Sequence, residues 1–197
     1  AMHSSQNEQD SRHYAIASKI PMLEPADSRE AKEFAKIAFE LSEEFDTPVL
    51  LRMCTRIAHS QCSVELCEPK AAVKKDYVKN PQKFIMAPAN AIRRHPVVEE
   101  RTAKLTFFAE TSALNRVEWA EDKSIGIITS GTCYDYVKEV MGDSVSVMKL
   151  GLVNPLPVDL IKDFADKVER VIVIEELDPV IENHCKALGI AVEGKSL

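Results

Sequence analysis

Lys123-Ser124-Ile125-Gly126-Ile127-Ile128-Thr129-Ser130-Gly131-Thr132-Cys133-Tyr134-Asp135-Tyr136-Val137-Lys138-Glu139-Val140-Met141-Gly142 is the stretch whose reading decides the fold. Ile125 to Thr129 is an apolar run of strand length, and Ser130-Gly131-Thr132 closes it as a tight turn. Cys133, Val137, Val140 and Met141 then recur at helical spacing on one face, and Gly142 stops the helix. The unit repeats downstream. A second strand is expected over 145–150. A helix opens at Pro157 with Val158, Ile161, Phe164, Ala165 and Val168 inward, and a third strand follows at Val171-Ile172-Val173-Ile174. Asp178-Pro179 supplies a helix cap and a first-turn proline, Gly189 ends that helix, and Ile190-Ala191-Val192 is a fourth short strand. Strands alternating with helices require a mainly parallel sheet covered on both faces, so the fold class is three-layer α/β.

Working back towards the start, Asp27 with Glu30 three positions on has the form of a capping box. Ala31, Phe34, Ala35, Ala38, Leu41 and Phe45 form one buried helical stripe, and Thr47-Pro48 ends it. Residues 1–13 read as a loop, 14–23 as a short extended segment, and 49–53 as a buried strand. Strand, helix, strand in that order suits a parallel crossover. Between the two halves lies a connector rich in Lys and Arg, punctuated by Pro69, Pro81, Pro88 and Pro96. Pro96 is expected at the first position of a helix whose inner face is Val98, Thr102, Leu105, Phe108 and Ala109, with Asn115 to Trp119 leading into a polar turn. The chain thus divides into 1–67, a basic connector at 68–122, and 123–197.

Charge is unevenly placed along the 197 residues. Net charge is −4 over 1–67, +5 over 68–104 and −7 over 105–197. The basic island reads as a solvated surface, or more sharply as a seat for phosphates or an acidic neighbour. Aromatic residues are not interleaved with its cations, which argues against nucleic acid. No apolar run approaches the roughly 20 residues of a membrane helix, and no secretory signal is visible, so a cytoplasmic setting is expected. The five cysteines, Cys54, Cys62, Cys67, Cys133 and Cys185, are odd in number and never spaced as C-x-x-C. Free thiols are expected, with no disulfide framework and no metal or cluster site built from this chain.

Residue chemistry offers no complete active site. The turn Thr129-Ser130-Gly131-Thr132 sits where a βα unit binds anions, but no glycine fingerprint accompanies it, so a tight connection is the plainer reading. Glu175-Glu176-Leu177-Asp178 stacks carboxylates after a strand, as a magnesium site would, although Asp178 is expected to cap a helix. Arg52, Arg56 and His59 follow a strand closely. They suit either a clamp for a carboxylate or phosphate, or structural ion pairs, and they are the candidate cofactor-binding residues. His13 and His95 are expected on the surface, and His184 is expected to face out from the last helix.

Several longer motifs carry a family resemblance. They are Met2-His3-Ser4-Ser5-Gln6-Asn7-Glu8-Gln9-Asp10-Ser11-Arg12-His13-Tyr14-Ala15, Thr47-Pro48-Val49-Leu50-Leu51-Arg52 with Thr55-Arg56-Ile57-Ala58-His59-Ser60, and Glu110-Thr111-Ser112-Ala113-Leu114-Asn115-Arg116. Gly126 to Gly131, Leu152-Val153-Asn154-Pro155-Leu156-Pro157, Glu175-Glu176-Leu177-Asp178-Pro179 and Gly194-Lys195 complete the set. Together they resemble the α subunit of indolepyruvate ferredoxin oxidoreductases, in the pyruvate:ferredoxin oxidoreductase superfamily of thiamine diphosphate enzymes. The resemblance implies the rear part of a pyrimidine-binding-type domain in 1–67 and a transketolase C-terminal-like domain in 123–197. It further implies a whole enzyme with thiamine diphosphate, Mg²⁺ and 4Fe–4S clusters. That enzyme would use CoA as co-substrate to oxidatively decarboxylate aryl pyruvates to acyl-CoA, with a smaller β subunit and ferredoxin as partners.

On this reading the chain is a fragment that binds none of those cofactors alone, has no catalytic residue of its own, and depends on the rest of its subunit. The loop 4–12 would lie near the family's active-site region. Residues 123–197 are expected to fold alone, and 1–67 to self-associate through Val49, Leu50 and Leu51 with the flank of the Phe34/Leu41 helix. The alternative is a stand-alone α/β module that binds a nucleotide or a partner.

Overall fold

A computed structural model describes residues 9–69, 71, 74 and 76–195. Met2 to Glu8 of the first motif therefore lie outside the described residues. The front half contains α1 (Arg12–Ser18), β1 (Met22–Leu23), α2 (Ser28–Phe45), β2 (Leu50–Leu51) and α3 (Thr55–His59). α4 (Pro81–Phe84), α5 (Pro88–Thr111) and β3 (Asn115–Glu118) follow. The rear half contains β4 (Ile125–Ser130), α6 (Cys133–Met141), β5 (Ser146–Leu150), β6 (Leu152–Asn154), α7 (Asp159–Ala165), β7 (Arg170–Ile174), α8 (Val180–Ala187) and β8 (Val192–Glu193).

Two sheets organise these elements, with strand orders β2-β1-β6 and β3-β5-β4-β7-β8. β4 is central in the larger sheet and pairs in parallel with β5 and β7, and β8 extends β7 in parallel. The expected front crossover is present, since β1 and β2 pair in parallel around α2. Asp27 caps α2 by accepting from the Glu30 amide at 2.7 Å, while the Glu30 carboxylate reaches back to the Ala26 amide at 2.8 Å.

The two halves are not independent. β6, from the rear half, pairs antiparallel with β1 of the front half. Gly151 alone separates β5 from β6, so the chain steps from one sheet to the other there. A Cβ on it would meet the Leu114 carbonyl at 2.5 Å and the Phe34 ring at 2.8 Å, an approach only glycine permits. The larger core joins Ala15 and Met22 of the front half to Ile128, Met148, Leu150, Phe164 and Ile181 of the rear. A second core packs Phe34 and Leu41 of α2 against Ala109 of α5, Leu114 and Leu152. Residues 123–197 thus close one cluster by themselves, around Ile127, Val137, Val145 and Val147, and share the other two with the front half. The front sheet is closed on one side by β6 and keeps β2 at its open edge. Val49, Leu50 and Leu51 are half-buried, packed against these same clusters, and β6 covers one side of β1.

Several local expectations are also corrected. Within 14–23, residues 14–18 are helical in α1 and only Met22 and Leu23 form a strand. The strand expected over 49–53 is two half-buried residues. Pro96 lies inside α5, and the proline at the helix start is Pro88, where a missing amide costs nothing. Asn115–Glu118 is a strand, β3, antiparallel to β5, because residues of the turn region find an open sheet edge. Val140 points away from the sheet and is 79% exposed, while Cys133 and Val137 form the buried stripe. The last strand is Val192–Glu193, displaced from 190–192. His184 is half-buried, with Nε2 shielded and unpartnered.

Candidate functional site

The carboxyl ends of β1, β2, β4 and β7 converge, and each delivers polar residues at or just after its last position: Glu24, Arg52, Ser130 with Thr132, and Glu175 with Glu176. This is where open α/β sheets present function. Arg12 enters the same region from the start of α1 and is 1% exposed. Its guanidinium donates to Asp10 at 2.5 and 3.0 Å, to the Glu175 carboxylate at 2.5 Å, and to the carbonyls of Glu176 and Asp178 at 2.6 and 2.8 Å. The Asp178 amide returns a bond to Asp10 at 3.2 Å. Burial opposes the Arg12 charge, but Asp10, Glu24 and Glu175 outweigh it and hold the guanidinium protonated. Burial likewise pushes the Asp10 carboxyl up, and the bond and charge of Arg12 bring it below its ordinary value.

A second arginine completes the layer. Arg52 pairs with Glu24 and stands 3.6 Å from Glu176. Ser130 Oγ donates to Glu24 at 3.1 Å, and Thr132 Oγ1 donates to Glu176 at 3.2 Å. Burial holds the Glu24 carboxyl above its ordinary value, against the pull of Arg52 and Arg12. Gly131, at φ +54°, brings its Cα against Glu24, where a Cβ would fall 2.6 Å from Oε1. The turn after β4 thus presents its hydroxyls to two carboxylates. The turn Thr129-Ser130-Gly131-Thr132 is a tight connection, the plainer of its two readings, and a phosphate there would face negative charge.

The acidic stack after β7 also differs from expectation. Its three carboxylates diverge. Glu175 turns inward and accepts from the Ile181 and Glu182 amides at 3.0 Å each, so Glu175, not Asp178, caps α8. Glu176 turns to Arg52 and Thr132. Asp178 turns to His13 at 2.8 Å. Leu177 between them adopts φ +59°, an uncommon conformation held by Arg12's bonds to the flanking carbonyls. Among the described residues, Asp10, His13 and Asp178 are the group whose ligand atoms lie together, within 4.8 Å, but Asp10 is already committed to Arg12. The thiols of Cys133 and Cys185 are pushed up to about 12 by burial and are poor nucleophiles.

Of the three candidate residues, the structure brings two together at the surface. Arg56 and His59 lie one turn apart on α3 and, with Thr55 and Ser60, line a cleft of about 360 Å³. The Arg56 guanidinium rests 5.5 Å from the centre of the Tyr136 ring, and among the described residues no carboxylate pairs with it. Arg52 points inward and serves the ion pairs. Sequence reasoning missed Asp10, Arg12 and Glu24 as members of this layer. The available signal was the short Asp-x-Arg spacing in a polar segment and a glutamate directly after the first strand.

No protein-family model matches the chain. In three dimensions it superposes on a 2-oxoglutarate:ferredoxin oxidoreductase from Magnetococcus marinus with a TM-score of 0.64 at 18% identity. The overlap covers 95% of this chain and 41% of that one, whose structure contains 2-oxoglutarate, coenzyme A and succinyl-CoA. The class defined by the fold is therefore the paired α/β architecture of 2-oxoacid:ferredoxin oxidoreductases. In sequence the chain is 39% identical over 201 residues to the indolepyruvate oxidoreductase subunit IorA of Archaeoglobus fulgidus, covering 99% of this chain and 32% of that protein. It is 42% identical over 206 residues to IorA of Methanothermobacter marburgensis and 39% over 213 residues to IorA of Thermococcus kodakarensis. Along nearly its whole length the chain is similar to indolepyruvate oxidoreductase subunits IorA, and it spans about a third of the length of the curated relatives it matches.

Proposed function

We propose that the chain is a structural part of the α subunit of an indolepyruvate or aryl-pyruvate:ferredoxin oxidoreductase, which oxidatively decarboxylates its substrate to an acyl-CoA. The observation that carries this reading is the identity of 38–42%, spread along the whole chain, to subunits named for that activity. The whole enzyme would act in the cytoplasm with thiamine diphosphate, Mg²⁺, 4Fe–4S clusters, a β subunit and ferredoxin. No helix among the described residues is long and apolar enough to cross a membrane, in keeping with such a setting.

The described residues do not fit Mg²⁺ or an iron–sulfur cluster. The carboxylates after β7 diverge, and the cysteines do not converge on one point. They do fit an anionic group. Arg56 offers a cation at the rim, with the His59 imidazole and the Thr55 and Ser60 side chains beside it, suited to a carboxylate or phosphate of substrate or cofactor. The layer of Arg12, Arg52, Asp10, Glu24, Glu175 and Glu176 would hold the strand ends that present this rim. A stand-alone nucleotide-binding module is less well supported, since the turn after β4 faces Glu24 and Glu176.

The test is to produce the chain joined to the remaining segments of an IorA subunit, with its partner subunit, and to follow CoA-dependent reduction of ferredoxin by indolepyruvate. Turnover is expected from the assembly, and none from the 197-residue chain by itself. An assembly that folds but ignores every 2-oxoacid contradicts the reading.

A further inference from the structure

We draw no further inference here: the strongest candidate, the exposed apolar face along α5 with the groove beside Phe45 and Phe107, carries nothing because the chain spans about a third of the length of its relatives and nothing in the structure shows what covers that face.

Discussion

The Arg12 guanidinium and the Glu175 carboxylate meet at 2.5 Å although 163 residues of chain separate them. Glu175 at the same time accepts from two amides at the start of α8, and Arg12 binds the carbonyls on either side of Leu177. One ion pair therefore fixes the loop after β7, the first turn of α8 and the entry to α1.

Replacing Arg12 separates the geometric from the charge contribution. Arg12→Ala leaves Asp10 and Glu175 buried without their cation and is expected to cost about 3–5 kcal/mol. Arg12→Lys restores a charge but not the planar fork that reaches four acceptor groups, so it should recover only part of that loss. Urea unfolding of the three proteins measures both differences. A lysine variant as stable as wild type would show that charge alone suffices.

The same layer predicts an acid limb of stability. Arg12 holds Asp10 below its ordinary value of 3.8, and Lys149 and Arg116 hold Glu30 below 4.5, in each case against burial. In the unfolded chain these groups take up protons at their ordinary values; in the folded chain they do so only at lower pH. Their contribution is thus complete above about pH 5 and is lost as pH falls through the folded values. Glu24 acts in the opposite sense, because burial makes its folded form take up the proton first. Asp10→Asn isolates the first group. Its stability deficit relative to wild type should be largest at neutral pH and should shrink as the solution is acidified below pH 5. A deficit constant down to pH 3 would contradict the assignment.

What the sequence made legible follows from how local each signal is. Strands β4, β5 and β7 and helices α2 and α6 were readable because their apolar spacing and stop residues sit inside the element itself. α1 was not. Its sequence has no apolar period, and it buries only Arg12 and Ala15, so tertiary ion pairs fix it. The cap of α8 was misread for a related reason. The carboxylate that meets its amides comes from Glu175, six and seven residues before its donors, beyond the window of a local cap. Of the site, Arg52, Arg56 and His59 were visible as charges after a strand. That Arg52 turns inward to Glu24 while Arg56 remains at the surface depends on packing from β1 and α6, which no spacing records.

A second buried pair predicts an asymmetry between its partners. Lys149 on β5 has a fully buried side chain, ion-paired with Glu30 and 4.9 Å from the centre of the Phe34 ring. Burial lowers the affinity of Lys149 for its proton, and Glu30 opposes that. Glu30 has further partners, Arg116 at 3.0 Å and the Ala26 amide, whereas Lys149 has no second carboxylate in an ion pair among the described residues. Glu30→Ala should therefore cost about 3 kcal/mol or more, by stranding a buried ammonium. Lys149→Met should cost much less, since an apolar chain of similar length fills the space and Glu30 keeps Arg116. Thermal denaturation ranks the two. Equal losses would mean that the pair's value lies in packing alone.

The shared core makes the last prediction, on whether the rear half stands alone. Residues 123–197 supply four strands of the larger sheet and the short β6, and their periodicity suggests self-sufficiency. The structure removes three supports when they are cut out. β3 leaves the edge of β5, exposing a ladder of four residue pairs. Ala15 and Met22, both buried in the larger core, leave apolar surface behind on Met148, Leu150 and their neighbours. Arg12 leaves the Glu175 carboxylate without its cation. A unit of about 75 residues has little stability to lose. Expressed alone, 123–197 should show no cooperative melt, or one far below that of the full chain. Added 1–122 should restore the transition by supplying β3, Met22 and Arg12 together. Trp119, which packs on Phe164 at 5.3 Å between ring centres, lies in the added piece and reports the reassembly by its fluorescence. A sharp unaided melt of 123–197 would show instead that the contacts across the two halves are dispensable for its fold.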